Sequence, residues 1–309
     1  MDSMAIFQQV LILFLLIVVG YAASKFHLVG GSFPKHLSAF LFHITLPCSI
    51  VSAMRFSFAP SMLLQSGMLI AAGAAVTAAS YGAGLLAAKL LRIRGSFRNV
   101  AVFAVTFSNF SFMGYPVAQA FFGDEGLFLA AVYSVPVYVF MQSLGMALIE
   151  SEGEKRGFRP SYLFNPPMAG VLVGFFLFLV QWRLPYPIEQ AIDLLGSVTT
   201  PMAMVLVGLV LTGEPLRYAF SNWKYYAIAA IRLVLLPLLV FAALRLLGFS
   251  GTAAMLPAVI TMMPVAANIV VVSAAYGKDV ASSARIVLLT TLLSVATIPA
   301  MGYIMSLMP

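Results

Sequence analysis

The sequence predicts an all-α polytopic membrane protein of about ten transmembrane helices. We expect two inverted five-helix repeats, with helices 4 and 9 broken. Three observations predict this fold: an apolar composition, ten segments near bilayer length, and an internal repeat. The 309 residues are 62% hydrophobic and 9% charged, with a mean hydropathy of +1.01, whereas soluble domains are roughly 25% charged. The composition therefore excludes a soluble globular domain.

Ten apolar runs approach the roughly 20 residues that a helix needs to cross a bilayer. They are residues 7–26, 36–54, 62–91, 100–122, 127–149, 163–182, 194–211, 225–247, 253–276 and 280–305. The first run has no basic segment before it and no convincing cleavage site, so we interpret it as a span and not as a signal peptide. Cys48 is the only cysteine, which excludes an internal disulfide and a cysteine-based metal cluster.

A constant offset of 154 positions aligns the two halves of the chain without gaps. It superimposes Gly20 on Gly174, Pro47 on Pro201, Leu85 on Leu239, Ala88 on Ala242, Leu90 on Leu244, Ser96 on Ser250 and Gly123 on Gly277. The glycine and proline matches fall at equivalent places in the hydropathy pattern, so we interpret the offset as an internal duplication. Because five spans is an odd number, the second repeat must enter the membrane in the opposite sense.

Basic residues are concentrated in alternate loops, which predicts the orientation of the chain. With the N-terminus outside, three basic residues lie on the outer side: Arg55, Arg183 and Arg245. The cytoplasmic side then holds Lys25, Lys35, Lys89, Arg92, Arg94, Arg98, Lys155, Arg156, Arg159, Arg217, Lys224, Lys278 and Arg285. This asymmetry predicts both termini outside. It also explains the net charge of +7 by topology, so we expect the lipid bilayer and not nucleic acid as a partner.

Two spans carry helix-breaking residues at mid-membrane depth. Residues 100–122 contain Asn109, Gly114 and Pro116. Residues 253–276 contain Pro257, Pro264 and Asn268. A broken helix frees backbone groups that lipid cannot satisfy, so the break must be buried in protein or line a polar cavity. Paired breaks in the two halves indicate the substrate site of a transporter, although a simple proline kink packed against neighbours remains the alternative.

The residues at the breaks suit an anionic ligand. The N-terminus of a half-helix carries a partial positive charge that favours a carboxylate. We therefore expect the substrate-binding residues to be Asn109, Gly114, Tyr115, Pro116, Pro264 and Asn268. For Asn268, an interhelical hydrogen bond is the competing interpretation.

Arg232 lies within the eighth span, where a charge costs at least about 2.5–3.5 kcal/mol. No Asp or Glu occupies the middle of any span. Its expected partners are freed carbonyls at a helix break, a side-chain amide such as that of Gln142, or the substrate itself. The alternative is that Arg232 extends to the membrane interface.

His43 lies close to Pro47 in the second span. A histidine titrates near neutral pH and could couple transport to protons. A neutral, hydrogen-bonded scaffold histidine is the alternative.

The motifs resemble those of the auxin efflux carrier family, whose members include bacterial relatives of the plant PIN-formed carriers. The segment from Asn109 to Pro116, with Met113-Gly114-Tyr115-Pro116, is similar to the fourth helix of that family. Met263-Pro264, Asn268 and Ala275-Tyr276-Gly277 resemble its ninth helix. Leu46-Pro47 and Thr200-Pro201 resemble its second and seventh helices.

This resemblance implies the fold of the bile-acid/sodium symporters, in which two broken helices cross at the membrane centre. It implies a scaffold of helices 1–2 (residues 1–60) and 6–7 (161–215), with Pro47 and Pro201 at the gate. Helices 3–5 (61–149) and 8–10 (216–309) would form a moving transport domain, and residues 150–160 a cytoplasmic linker. It further implies carriage of mono- or dicarboxylates across a bacterial plasma membrane by a homodimer. Related symporters hold sodium beside the point where the two broken helices cross, and the guanidinium of Arg232 could replace that cation.

The leading hypothesis is a secondary carrier of small organic anions that works by elevator-type alternating access without sodium. A sodium-coupled bile-acid-type symporter would be expected to show an acidic residue in the ninth span, and residues 253–276 have none. A membrane sensor without flux is a further alternative. Paired aspartates, a histidine-rich metal cluster and a GxSxG motif are missing from the sequence, so we expect neither an enzyme nor a resident cofactor or metal.

Labelling of single cysteines tests the predicted topology. In a Cys48→Ala background, cysteines at Glu152 and Lys278 should be shielded from an impermeant thiol reagent in intact cells, and one at Asp124 should react. Labelling at Glu152 without lysis would contradict the orientation and the inverted repeat.

Overall fold

The computed structural model describes residues 3–55, 60–150, 166–213, 220, 222–275 and 278–307. These residues are helical throughout, apart from short connections and one isolated antiparallel bridge. The α-helices are α1 (Ser3–Lys25), α2 (Phe33–Phe40), α3 (Leu46–Ala53), α4 (Pro60–Leu90), α5 (Ser96–Thr106), α6 (Tyr115–Phe140), α7 (Met146–Glu150), α8 (Pro166–Val180), α9 (Tyr186–Ser197), α10 (Thr199–Val210), α11 (Trp223–Ala230), α12 (Leu236–Leu246), α13 (Gly251–Thr261), α14 (Asn268–Ala275) and α15 (Val280–Leu307).

Within the described residues, six helical stretches are long and apolar enough to cross a membrane. They are Phe33–Ala53, Leu64–Leu90, Phe110–Ile149, Tyr186–Val210, Trp223–Leu246 and Val280–Met305. Three shorter apolar helices accompany them: Leu11–Lys25, Pro166–Val180 and Gly251–Thr261. The described part of the chain is thus helical and fits a polytopic membrane protein, as predicted. The count of ten spans and the inverted orientation of the second repeat stay predictions.

The longest of these stretches turns at Gly123. This residue has φ 68° and ψ −159°, a conformation that glycine adopts without the steric cost of a Cβ. The bend separates the predicted fourth span from the predicted fifth. The rest of the predicted fourth span consists of α5 and the break that follows it.

Prolines and wide helical turns occur together in this fold. Three π-helical turns end two residues before a proline: Leu41–Thr45 before Pro47, Phe110–Gly114 before Pro116, and Ile231–Leu235 before Pro237. Proline has no N–H to donate and its ring crowds the preceding turn. The wider turn accommodates both effects, and such turns occur frequently at functional sites. A fourth π-helical turn, Met141–Gly145, contains Gln142.

Helices from the two predicted repeats pack in reciprocal pairs. Helix α1 packs along α10, and α8 packs along α3. A Cβ added to Gly20 would lie 2.0 Å from the carbonyl oxygen of Val205, and one added to Gly208 would lie 2.0 Å from that of Ile17. A Cβ on Gly170 would lie 2.8 Å from the Cα of Pro47. Such small residues allow helix backbones to approach closely within a membrane.

The other helices surround the two broken ones. Helix α4 packs against α5 and α6, α13 against α6 and α12, and α15 against α11 and α14. The division into a scaffold and a transport domain stays a prediction. Residues 151–160 of the predicted linker and residues 276–277 of the ninth-helix motif lie outside the described residues.

A glycine substitution tests the close approach of α1 and α10. Gly208→Ala should lower the thermal unfolding midpoint in detergent, because the added Cβ overlaps backbone atoms of α1 and overpacking costs about 1–3 kcal/mol. Gly82→Ala is the matched control, since a Cβ there meets nothing within 4 Å. Equal midpoints for the two variants would contradict the observed packing.

Candidate functional site

The two breaks lie side by side and satisfy each other's backbone groups. Residues 107–109 follow α5, and residues 262–267 connect α13 to α14. The N–H of Asn109 donates to the carbonyl of Pro264 (2.7 Å), and the N–H of Ala266 donates to that of Phe107 (3.2 Å). Ser108 and Val265 therefore face each other as an antiparallel bridge. We call this paired region the crossover.

The crossover is shielded from lipid. Phe107, Ser108, Asn109 and Val265 are all buried. Non-helical backbone at membrane depth is tolerated only where protein or a water-filled cavity surrounds it. The mutual pairing and the burial together meet that requirement.

Arg232 links the C-terminal ends of the two half-helices that enter the crossover. Its Nη1 donates to the carbonyl oxygens of Val105 (2.7 Å) and Thr106 (3.4 Å), and its Nε donates to that of Met263 (3.3 Å). Of the three kinds of partner predicted for Arg232, these are the freed carbonyls. Interface exposure, the competing interpretation, does not fit a residue that is 1% exposed.

The carbonyl ends of α5 and α13 balance the charge of Arg232. The C-terminus of a helix carries roughly half a negative charge, so two such ends approximate one full charge. Arg232 has no carboxylate partner within the described residues. Nη2 also has no acceptor in that part of the chain, so two of the five N–H donors of the guanidinium remain unused.

Thr290 on α15 supports the second break. Its Oγ1 accepts a hydrogen bond from the N–H of Val265 (3.2 Å) and donates to the carbonyl of Ile286 (2.7 Å). The side chain is fully buried. Sequence reasoning missed this residue, because a threonine in a membrane helix commonly bonds only to its own preceding turn.

The two predicted asparagines have incompletely used side chains. The backbone carbonyl of Asn109 accepts from the N–H groups of Met113 (3.1 Å) and Gly114 (2.9 Å), while its amide makes no hydrogen bond within the described residues. The Nδ2 of Asn268 donates to the Sδ of Met141 (3.4 Å), and its buried Oδ1 has no partner among the residues described. Sulfur is a weak acceptor. Both amides therefore retain hydrogen-bonding capacity.

Gly114, Tyr115 and Pro116 pack against protein. A Cβ added to Gly114 would lie 3.1 Å from the Cδ1 of Ile260, so this glycine allows the π-helical turn to approach α13. The buried ring of Tyr115 meets that of Phe110 edge-on, with centroids 6.1 Å apart. Pro116 is buried at the start of α6.

The structure does not bring His43 to the crossover. His43 is exposed, its Nδ1 bonds to the carbonyl oxygen of Ala39 (2.9 Å), and its ring packs edge-on against Phe42. Its π-helical turn packs mainly against α2, α3, α8, α9 and α10.

The gate prolines and Gln142 have different surroundings. Pro47 packs against Gly170. Pro201 lies half-buried on α10, which contacts the π-helical turn Phe110–Gly114. Gln142 is half-buried beside Met141, and no hydrogen bond joins it to Arg232.

A polar cavity of about 280 Å³ separates α6 from α3, α9 and α10. Its lining residues include Ser49, Ser52, Gln119, Asp124, Asp193, Ser197 and Thr200. The Oγ1 of Thr200 donates to the Oε1 of Gln119 across it (3.4 Å). Asp193 forms an ion pair with Arg55, which also pairs with Glu189. These contacts connect helices distant in sequence, so no local pattern indicated them.

Comparison with known proteins places this architecture in one family. The model of the membrane transport protein family matches residues 5–162 and 160–302. An uncharacterized transporter of Methanothermobacter thermautotrophicus is 29% identical over 198 residues, which are 63% of this chain and 64% of the relative. An uncharacterized transporter of Methanocaldococcus jannaschii is 25% identical, with 96% of this chain and 97% of the relative covered.

A bacterial relative carries a more specific name. A Rhizobium meliloti protein named "putative malonate transporter" is 25% identical, and the match covers 96% of this chain and 94% of that protein. Family and relatives indicate a membrane transporter and not an enzyme. The chain belongs to the membrane transport protein family, the auxin efflux carrier family that its motifs resemble.

Proposed function

We propose that this protein is a secondary transporter of small organic anions, mono- or dicarboxylates, and that the anion binds at the crossover. The observation that carries the proposal is the position of Arg232 at two carbonyl ends. Arg232 compensates the negative ends of α5 and α13. The positive ends of the other two half-helices remain for a ligand.

The remaining helix ends favour an anion. The π-helical turn Phe110–Gly114 leads into α6, and α14 begins at Asn268. Each N-terminal end carries roughly half a positive charge. Two such ends together suit one carboxylate group. A second carboxylate of a dicarboxylate would need a further donor. The Nη2 of Arg232, which has no acceptor among the described residues, is one.

The two asparagine amides complete the proposed site. Within the part of the chain that the structure describes, the amide of Asn109 makes no hydrogen bond and that of Asn268 donates only to a thioether. A carboxylate oxygen is a stronger acceptor than sulfur, and hydrogen bonds to a charged group are roughly twice as strong as neutral ones. The name of the Rhizobium relative supports a small dicarboxylate among the substrates to test first.

Elevator-type movement is consistent with how the polar contacts are distributed. The bonds of Arg232, Thr290 and Asn268 all join residues within the predicted transport domain. The ion pairs of Arg55 lie within the predicted scaffold. The contact between Thr200 and Gln119 joins the two bodies and is long, at 3.4 Å. Sliding of one body along the other would break this contact and leave the crossover intact.

Replacement of the asparagines tests the site. In proteoliposomes, Asn109→Ala and Asn268→Ala should each raise the apparent substrate constant for a carboxylate such as malonate at least several-fold, because a hydrogen bond to a charged group contributes about 1.5–3 kcal/mol. Gln190→Ala, which removes an exposed amide from α9, is the control. Unchanged transport in both asparagine variants would remove them from the site. Ligand-induced stabilisation without uptake of tracer would favour a sensor.

Replacement of Arg232 tests the built-in cation. Arg232→Gln should abolish transport or create a cation requirement, and Arg232→Lys should keep partial activity, since it retains the charge but loses the planar fork. Arg183→Gln removes an exposed charge and should transport normally. The wild type should work equally well in sodium and in choline. Strict sodium dependence of the wild type, which a bile-acid-type symporter would show, or full activity of Arg232→Gln, would overturn this role.

A further inference from the structure

A basic groove lies away from the crossover, where α4 ends and α5 begins. It encloses about 580 Å³. Four cationic side chains line it: Lys89, Arg92, Arg94 and Arg98. Its remaining wall is apolar and includes Leu85 and Leu86. All four basic residues belong to the predicted cytoplasmic face.

No acidic residue that the structure describes neutralises this groove. The sequence contains no Asp or Glu between Ser3 and Gly123. None of the four basic residues forms an ion pair with any residue that the structure describes. All four are exposed. Their mutual repulsion is therefore unrelieved within that part of the protein, and a bound anion would reduce it.

The turn that carries these residues is held in place. Arg92 has φ 49° and Gly95 has φ 67°, and both residues lie between α4 and α5. The Nζ of Lys224, on α11, donates to the carbonyl of Arg92 (3.4 Å). Ile93 is buried, and its N–H donates to the carbonyl of Ala88 (2.9 Å). The groove is thus preformed, and Lys224 brings a fifth cation to its edge.

An apolar surface continues from the groove along α4. Leu86 and Leu90 are 55% and 70% exposed, and their spacing of four residues puts them on one face of the helix. Both belong to the apolar stretch Leu64–Leu90. A ligand that touches both surfaces must carry an anionic head and an apolar tail. A free phosphate ion would use only the basic part.

We infer that this groove binds an anionic phospholipid, with the phosphodiester headgroup among Lys89, Arg92, Arg94 and Arg98 and an acyl chain along Leu86 and Leu90. Basic pockets at the ends of transmembrane helices suit anionic headgroups. The site is independent of substrate transport at the crossover.

Lipid retention measured by native mass spectrometry tests this site. The protein is solubilised in a neutral detergent with equal amounts of phosphatidylglycerol and phosphatidylcholine. The wild type should retain phosphatidylglycerol preferentially. Arg94→Gln/Arg98→Gln should lower the phosphatidylglycerol affinity roughly twenty-five-fold, because each basic residue near an anionic headgroup contributes about fivefold. Arg92 is left unchanged because it has φ 49°, a backbone conformation whose cost depends on the side chain.

The control removes two charges elsewhere on the same predicted face. Lys25→Gln/Lys35→Gln replaces two exposed residues outside the groove and should retain phosphatidylglycerol as the wild type does. Equal losses in the two double variants would show general surface attraction and overturn the site. In a separate arm, inorganic phosphate or glycerol phosphate is added at millimolar concentration. Displacement of the lipid by either anion would show that the groove binds soluble phosphate compounds without an acyl chain, and would contradict the proposal.

Discussion

One buried guanidinium faces the carbonyl ends of two interrupted helices, and the geometry of the crossover depends on that contact. A charge in the hydrocarbon layer costs at least about 2.5–3.5 kcal/mol, and each unpaired helix end would add a cost of its own. The hydrogen bonds from Arg232 to Val105, Thr106 and Met263 offset both costs at once. The helices that carry these groups, α5, α13 and the span containing Arg232, are therefore held in one relative position.

Prolines control where the chain can present such groups. The turns that precede Pro47, Pro116 and Pro237 widen to π-helical geometry, because proline lacks a donor and crowds the turn before it. Arg232 lies in the turn before Pro237, and the first turn after the crossover is the one before Pro116. An extra residue in one turn shifts the helical phase beyond it by about 100°. A short proline pattern therefore decides which face of the helix meets the crossover.

The sequence predicted the breaks and offered freed carbonyls as one of three kinds of partner for Arg232, because glycine, proline and the absence of intramembrane acids are visible in one chain. It did not predict how the breaks align. The offset of 154 sets Asn109 against Met263, whereas the bridge pairs Ser108 with Val265, since the prolines lie at different points in the two breaks. Gly114 and Tyr115 were expected at the ligand, and their observed neighbours are Ile260 and Phe110.

No sequence pattern indicated the contacts of Thr290 and Lys224, because these contacts join helices far apart in sequence.

The separation of these partners along the chain has a consequence for biosynthesis. Arg232 follows Val105 by 127 residues. At about 5–20 residues per second, the ribosome needs roughly 6–25 s to add that stretch. During this interval the first broken helix has neither its arginine nor its pairing partner, Pro264, and lipid supplies no substitute. The newly made first half must therefore wait in a hydrated or protein-lined environment, such as the insertion machinery, until the second half arrives to complete it.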